Sequence, residues 1–294
     1  MALLLSFFLI LTHSPQVSAK DNGEDSFTQQ IKDITVQVYR PDTTLSSPKL
    51  QASKSIIRGA TLNPDTGLLY LLNQEGVLEI KALDSSRPWR KTPKMRAFDS
   101  SRALAYNPVN RSLYALGYNG ILQIRSVDWH GNVVAASPST RGKSPSFKLS
   151  ETPAASFTFN PQFGLFYVLE PDGTMDIKQL DWDTENLSPK ATPLKNPLHF
   201  KAFDIPITAI AFNQDIELLY AVDSAGFIEL RKLDCDGSVL PQNPEPWKKR
   251  ASFNVFTPPI TALTYDRQQK LLYAVGPEGR VQFRKVDENG NILP

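Results

Sequence analysis

Pro259-Ile-Thr-Ala-Leu-Thr-Tyr-Asp266, continued by Leu271-Leu-Tyr-Ala-Val275 and Gly279-Arg-Val-Gln-Phe-Arg-Lys-Val-Asp287, decides the fold, because the same sentence is written four more times upstream. In register, the copies place Tyr70, Tyr114, Tyr167, Tyr220 and Tyr273 at one position and Gly76, Gly120, Gly173, Gly226 and Gly279 at another. A third holds Asp84, Asp128, Asp181, Asp234 and Asp287. Each Gly follows its Tyr by six residues and each Asp follows its Gly by eight. Spacing kept through five copies marks a structural repeat.

Within a unit the pattern reads as four short strands. The first, as in Thr208 to Phe212, alternates small and bulky residues, which suits a strand with one face on a crowded axis. Asn63-Pro64, Asn107-Pro108 and Asn160-Pro161 follow it, relaxing to Asn213-Gln214 and Asp266-Arg267, which is type I turn chemistry. The second strand, Leu-Leu-Tyr-Ala-Val or a variant, is apolar on both faces and is therefore buried. A turn ending in the repeat Gly supplies the positive φ of a tight hairpin. The third strand carries Glu79/Lys81, Gln123/Arg125, Asp176/Lys178, Glu229/Arg231 or Gln282/Arg284, acid or amide then base, expected to ladder with neighbouring strands. The fourth begins at Met95, Phe147, Phe200 and Phe253.

Four antiparallel strands per unit at a period near fifty predict an all-β, five-bladed β-propeller. The units lie near 56–100, 101–153, 154–206, 207–259 and 260–294, and the last lacks its fourth strand. Segment 33–55 supplies one at Leu50 to Ser53, so that an N-terminal strand closes the ring and 33–294 forms a single domain. The alternating Ile34 to Tyr39 leaves a partial sixth blade open.

Residues 1–19 read as a signal peptide, an apolar run ending in Val17-Ser18-Ala19, and 20–32 as a disordered leader. The expectation is a secreted or periplasmic protein with no membrane span after cleavage. A net charge of +2, from 32 basic and 30 acidic residues, excludes a globally basic nucleic-acid binder. With Cys235 alone, no internal disulfide forms.

The unit Ile260-Thr-Ala-Leu-Thr-Tyr-Asp266 with Leu271-Leu-Tyr-Ala-Val275 and Glu278-Gly279 resembles the repeats of WD-repeat and YVTN-type propellers, which serve many functions. Pro88-Trp89-Arg90-Lys91 and Pro246-Trp247-Lys248-Lys249, each just before a fourth strand, resemble tachylectin-type propellers, a family of secreted lectins for N-acetylated sugars. Two of five units keep that Trp, and the Gly-Gly-Trp element of such lectins is absent.

For function, the repeated tyrosines read as core packing rather than a binding ring. Asp128-Trp-His-Gly131, Asp234-Cys-Asp-Gly237 and Asp287-Glu-Asn-Gly290 offer too few oxygens for calcium and read as turns. Asp99, Glu151 and Asp204 share one register, but at the outer strands of adjacent blades they stand more than ~15 Å apart. Paired glycosidase carboxylates need about 5–9.5 Å. No nucleophile motif accompanies His130 and His199, so neither enzyme nor cofactor is expected. Trp89, Trp129, Trp182 and Trp247 all fall in the connectors between third and fourth strands, beside Arg90, Lys248 and Lys249. The Gly turns carry Glu75, Glu170, Asp172, Asp223 and Glu278 instead. Trp beside Arg or Lys can stack sugars or hold anions, so the connector side is the candidate ligand-binding surface. The expected ligand is a glycan or anionic envelope component; the alternative is a protein partner on the same scaffold.

Overall fold

A computed structural model describes residues 29–31, 34–36, 50–51, 53–83, 95–99, 101–134, 146–183, 188–193, 199–233, 248–250 and 254–293, those at 29–36, 50–51, 95–96, 180–200 and 248–250 by backbone alone. The chain divides into two units, 1–45 and 46–294. In the first, β1 (Gln29–Ile31) pairs antiparallel with β2 (Ile34–Val36), so the end of the segment read as leader carries strand.

The second unit holds β3 (Leu50–Gln51) and five antiparallel sheets. Sheet one contains β4 (Ile57–Asn63), β5 (Leu68–Asn73), β6 (Val77–Ala82) and β7 (Met95–Arg96). Sheet two contains β8 (Ser101–Asn107), β9 (Ser112–Gly117), β10 (Ile121–Ser126) and β11 (Ser146–Lys148). Sheet three has five strands: β12 (Ser156–Asn160), β13 (Leu165–Leu169), β14 (Thr174–Asp183), β15 (Ser188–Pro193) and β16 (His199–Lys201). Sheet four contains β17 (Ile207–Asn213), β18 (Leu218–Asp223), β19 (Ile228–Lys232) and β20 (Lys248–Arg250). Sheet five joins β21 (Ala262–Asp266), β22 (Leu271–Val275) and β23 (Arg280–Lys285) to β3, through Arg280↔Gln51 and Val281↔Leu50. Among the described residues no helix is long and apolar enough to cross a membrane.

Two strands differ from the repeat reading. In sheet four the outer strand is Lys248–Arg250, ahead of the expected Phe253. In sheet three β14 runs on to Asp183, and β15 and β16 both pair along its length. The alternation in Leu180-Asp-Trp-Asp continues the strand instead of starting a loop, so Trp182 is a strand residue opposite Pro189.

Each sheet leaves apolar side chains on both faces, and five clusters fill the spaces between them. One joins Leu72 and Leu78 of sheet one to Leu104 and Leu113 of sheet two. Others unite sheets two and three, three and four, and four and five. The last joins Ile57, Leu69 and Leu71 of sheet one to Leu271, Tyr273 and Val281 of sheet five. First strands also touch in that order, β4 beside β8 and β21. The Leu62 N–H donates to Thr264 Oγ1 at 3.2 Å and the Ile210 N–H to Ser156 Oγ at 3.3 Å, tying two neighbouring pairs together.

Polar repeat positions explain why the units look alike. Asn63, Asn107, Asn160 and Asn213 are buried, and each Oδ1 accepts the N–H two residues on. Each Nδ2 donates to the phenol of the repeat Tyr, at 3.1 to 3.5 Å. Burial of the Asn is thus matched by partners on both sides of the amide. The repeat glycines all have positive φ, and four of their carbonyls each accept two successive N–H groups from the end of their own outer strand, as Gly226 does from Val255 and Phe256. A Cβ at any of the five would run into the backbone of Phe98, Ser150, Phe203, Phe256 or Ser53.

The third-strand pairs do more than ladder. The Asp99 N–H donates to Gln123 Oε1, the Thr257 N–H to Gln282 Oε1, and both Ser53 and Ser55 hydroxyls donate to Glu79 Oε1. In each case the side chain reaches the segment leaving the preceding sheet. Sheet one holds Ser53 and Ser55 just as sheet two holds Asp99, which makes the segment after β3 the exit of sheet five.

Candidate functional site

Turn polarity places the Asn turns and the C-terminal ends of the third strands on one side of the sheets, the connector side, with the Gly turns on the other. On the connector side Asp128 ends its strand. Its Oδ1 accepts the N–H groups of His130 and Asn132, its Oδ2 accepts Asn132 Nδ2, and Val127 bridges Val133. Led by the Asn132 side chain, these bonds hold the Asp128 carboxyl below the usual carboxylate range. The turn Asp287 to Asn291 repeats the pattern. Both tuck their Gly beneath a preceding sheet: Tyr70 donates its hydroxyl to the Gly131 carbonyl at 2.8 Å and Tyr220 to that of Gly290 at 3.1 Å. The carboxylate oxygens are spent on turn geometry, and no group of three or more metal-ligating side chains occurs among the described residues. Asp234 to Gly237 lies outside them.

This locked turn presents Trp129, which is 77 % exposed. The Arg111 guanidinium lies over its ring, 3.4 Å from the centroid. Arg111 itself sits at φ 51°, where sheets one and three have Gly67 and Gly164. A stacked Arg on an exposed Trp combines a flat apolar surface with a fixed positive charge. Val109 on the same turn as Arg111 is also 77 % exposed. Of the other expected ligand-binding residues, Trp89, Arg90 and Trp247 lie outside the described residues. Trp182, Lys248 and Lys249 are placed in β14 and β20 by backbone alone.

The repeat tyrosines form no ligand ring. Tyr70, Tyr114, Tyr167 and Tyr220 are fully buried and Tyr273 is 5 % exposed. Burial pushes the phenols of Tyr70, Tyr114, Tyr220 and Tyr273 above their ordinary range. A passage between the five first strands, walled by Leu62, Leu104, Phe157, Ile210 and Leu263, has about 90 Å³ of space. Small-molecule sites have roughly 300–1,000 Å³, so this one is too small for more than solvent.

On the Gly-turn side, Arg58, Gln74, Ser101, Arg102 and Tyr118 line an open concavity of about 470 Å³. The Arg102 guanidinium stands 5.0 Å from the Tyr118 ring centroid. No single stretch of sequence announces this concavity, because its residues come from two adjacent sheets. The signal is nevertheless there: Arg58 and Arg102 both stand twelve residues before their repeat Tyr. The expected acidity of that side is also weaker than the residue types imply. Asp223 is buried and its Oδ1 caps its own turn through Ala225 and Phe227, while Glu170 accepts the Thr152 hydroxyl.

No family model matches the chain, and no curated protein does. Among solved structures, hydrazine synthase of Kuenenia stuttgartiensis is similar at a TM-score of 0.43 and 13% identity, over 85% of this chain and 61% of that one. The chain therefore spans less than two thirds of that protein's length.

Each of the three acids in one register has a basic residue in its field. Glu151 is exposed and lies 3.6 Å from Lys148. Asp99 acts on Arg125, and Glu229 and Asp204 both act on Arg231.

Proposed function

We propose that the second unit is a five-bladed β-propeller closed by its N-terminal strand, and that it is a non-enzymatic binding module for glycans or anionic envelope components, exported to the periplasm or the extracellular space. The ring reading is supported by five apolar clusters in cyclic order and by Leu50–Gln51 on the edge of β23. The binding reading rests on one observation, the 77 % exposed Trp129 held under Arg111 on a turn locked by Asp128. Such a rigid aromatic anchor binds at small entropic cost.

A protein-interaction scaffold is the second reading, favoured by Val109, whose exposure beside Arg111 adds apolar surface of little use to a sugar. A glycan array with the full chain, run beside Trp129→Ala and Val109→Ser variants, separates the two. Glycan signals lost at least tenfold in Trp129→Ala and kept in Val109→Ser are expected. A blank array, with a protein partner captured by the unaltered chain and lost in Val109→Ser, would replace the first reading by the second.

A further inference from the structure

The geometry points to a second ligand site on the Gly-turn side, between sheets one and two, built to take a carboxylate-bearing sugar such as a uronic acid. It is made from two copies of one pair of repeat positions. Arg58 and Arg102 stand twelve residues before Tyr70 and Tyr114, and Gln74 and Tyr118 four residues after them. In sheets three, four and five the first position holds Ala155, Thr208 and Thr261, and the second Pro171, Ser224 and Pro277. Thr208 and Thr261 turn their hydroxyls back onto the Val222 and Val275 carbonyls of their own sheets. Arg58 and Arg102 form no ion pair among the described residues.

Both arginines ride on irregularities in their strands, where the register shifts between Ile57 and Gly59 and between Ser101 and Ala103. The same irregularity lies between Ile207 and Ala209 in sheet four, so the bulge belongs to the repeat, and the side chain it carries, Arg in sheets one and two but Thr208 in sheet four, makes the difference. Ser101 is buried, its hydroxyl donating to the Asp99 carbonyl, so the floor is fixed. Asp99, two residues before Ser101, acts on Arg125, and the exposed Glu75 follows Gln74 on the rim. Two guanidiniums present planar forks that match a carboxylate. Tyr118, 54 % exposed, supplies a broad amphipathic face for a pyranose ring. The concavity is shallow and open to solvent, so it would take one face of a ring rather than enclose a ligand.

Isothermal titration of the full chain with methyl glucuronide, methyl glucoside and sodium sulfate tests this. Methyl glucuronide is expected to bind, weakening as salt rises, and to bind at least tenfold more tightly than methyl glucoside. In the Arg58→Gln/Arg102→Gln variant the affinity falls at least tenfold while the unfolding midpoint stays put, since both side chains reach solvent. Tyr118→Ala weakens glucuronide and leaves sulfate unaffected, and Trp129→Ala changes neither. Absence of glucuronide binding would overturn the site. So would equal affinity for sulfate with no effect of Tyr118→Ala, which leaves a bare anion spot, or full binding by the double Arg variant. Loss in Trp129→Ala alone would move the sugar to the connector side and overturn the site while sparing the function proposed above.

Discussion

Asp266 occupies the position that Asn63, Asn107, Asn160 and Asn213 hold in the other sheets, and it is equally buried. It still accepts the N–H groups of Gln268 and Gln269, at 2.9 and 3.1 Å, but a carboxylate has nothing to donate to Tyr273. The Tyr273 hydroxyl instead reaches Gln269 Oε1 at 3.5 Å. Burial raises the Asp266 carboxyl above its usual value, only partly offset by the two backbone bonds. Its unfolded counterpart titrates near ~3.9. Between that value and the raised folded one the native state holds the extra proton, so stability falls as pH rises through the window and levels off above it. Asp266→Asn should therefore stabilise the protein by about 0.5–1.5 kcal/mol near neutral pH, the worth of one regained hydrogen bond. Its advantage in urea unfolding should shrink as the pH is brought down to 4; a constant gap would mean that Asp266 does not titrate on unfolding.

At the scale of the element, two classes of left-handed residue separate by what lies next to them. Gly226 has φ 85° and sits against the Phe256 carbonyl, whereas Gly67 has φ 63° and nothing within 4 Å of its missing Cβ. Arg111, Glu217 and Lys270 occupy the Gly67 position in other sheets at φ 51° to 54°. Gly226→Ala is expected to lower stability by at least the ~1–3 kcal/mol of a strained backbone residue, with the collision added. Gly67→Asn should change the urea midpoint little. Equal losses in the two would show that the contact with Phe256 is unimportant. The same elements show what could be read in advance. Spacing from Tyr to Gly locates the turns because a short hairpin closed through a positive-φ Gly tolerates no slippage. The outer strand of sheet four starts before Phe253 because its start follows from pairing with β19, Arg231 opposite Lys248, while Val255 and Phe256 keep the repeat register on Gly226. The strand at Trp182 is not legible in the repeat because β14 pairs with β15, five to fifteen residues on, through a match present in no other unit among the described residues. Trp129 was legible as a candidate, but its partner Arg111 comes from a different turn, and the Arg58 and Arg102 concavity exists only because two sheets stand side by side.

For the whole molecule, closure can be tested by a bond. Gln51 and Arg280 are opposite each other across β3 and β23. In a Cys235→Ser background, Gln51→Cys with Arg280→Cys should oxidise to an intramolecular disulfide whose loop takes in nearly all of the second unit. The chain-entropy account gives a gain of up to roughly 5 kcal/mol for a loop of that length. The oxidised form should melt above the reduced form, with mass spectrometry confirming a monomeric bridge. Failure of the cysteines to join, or joining only between molecules, would remove β3 from the edge of β23.

Among the described residues two pairs hold β3 to β23, against five between β22 and β23. Cooperative opening begins where the fewest bonds must break. Amide hydrogens of Leu50 and Gln51 should thus exchange with deuterated solvent well before those of Leu272 or Tyr273. Opening at this edge should expose Leu50 and Gln51 to a protease while the other four sheets stay protected.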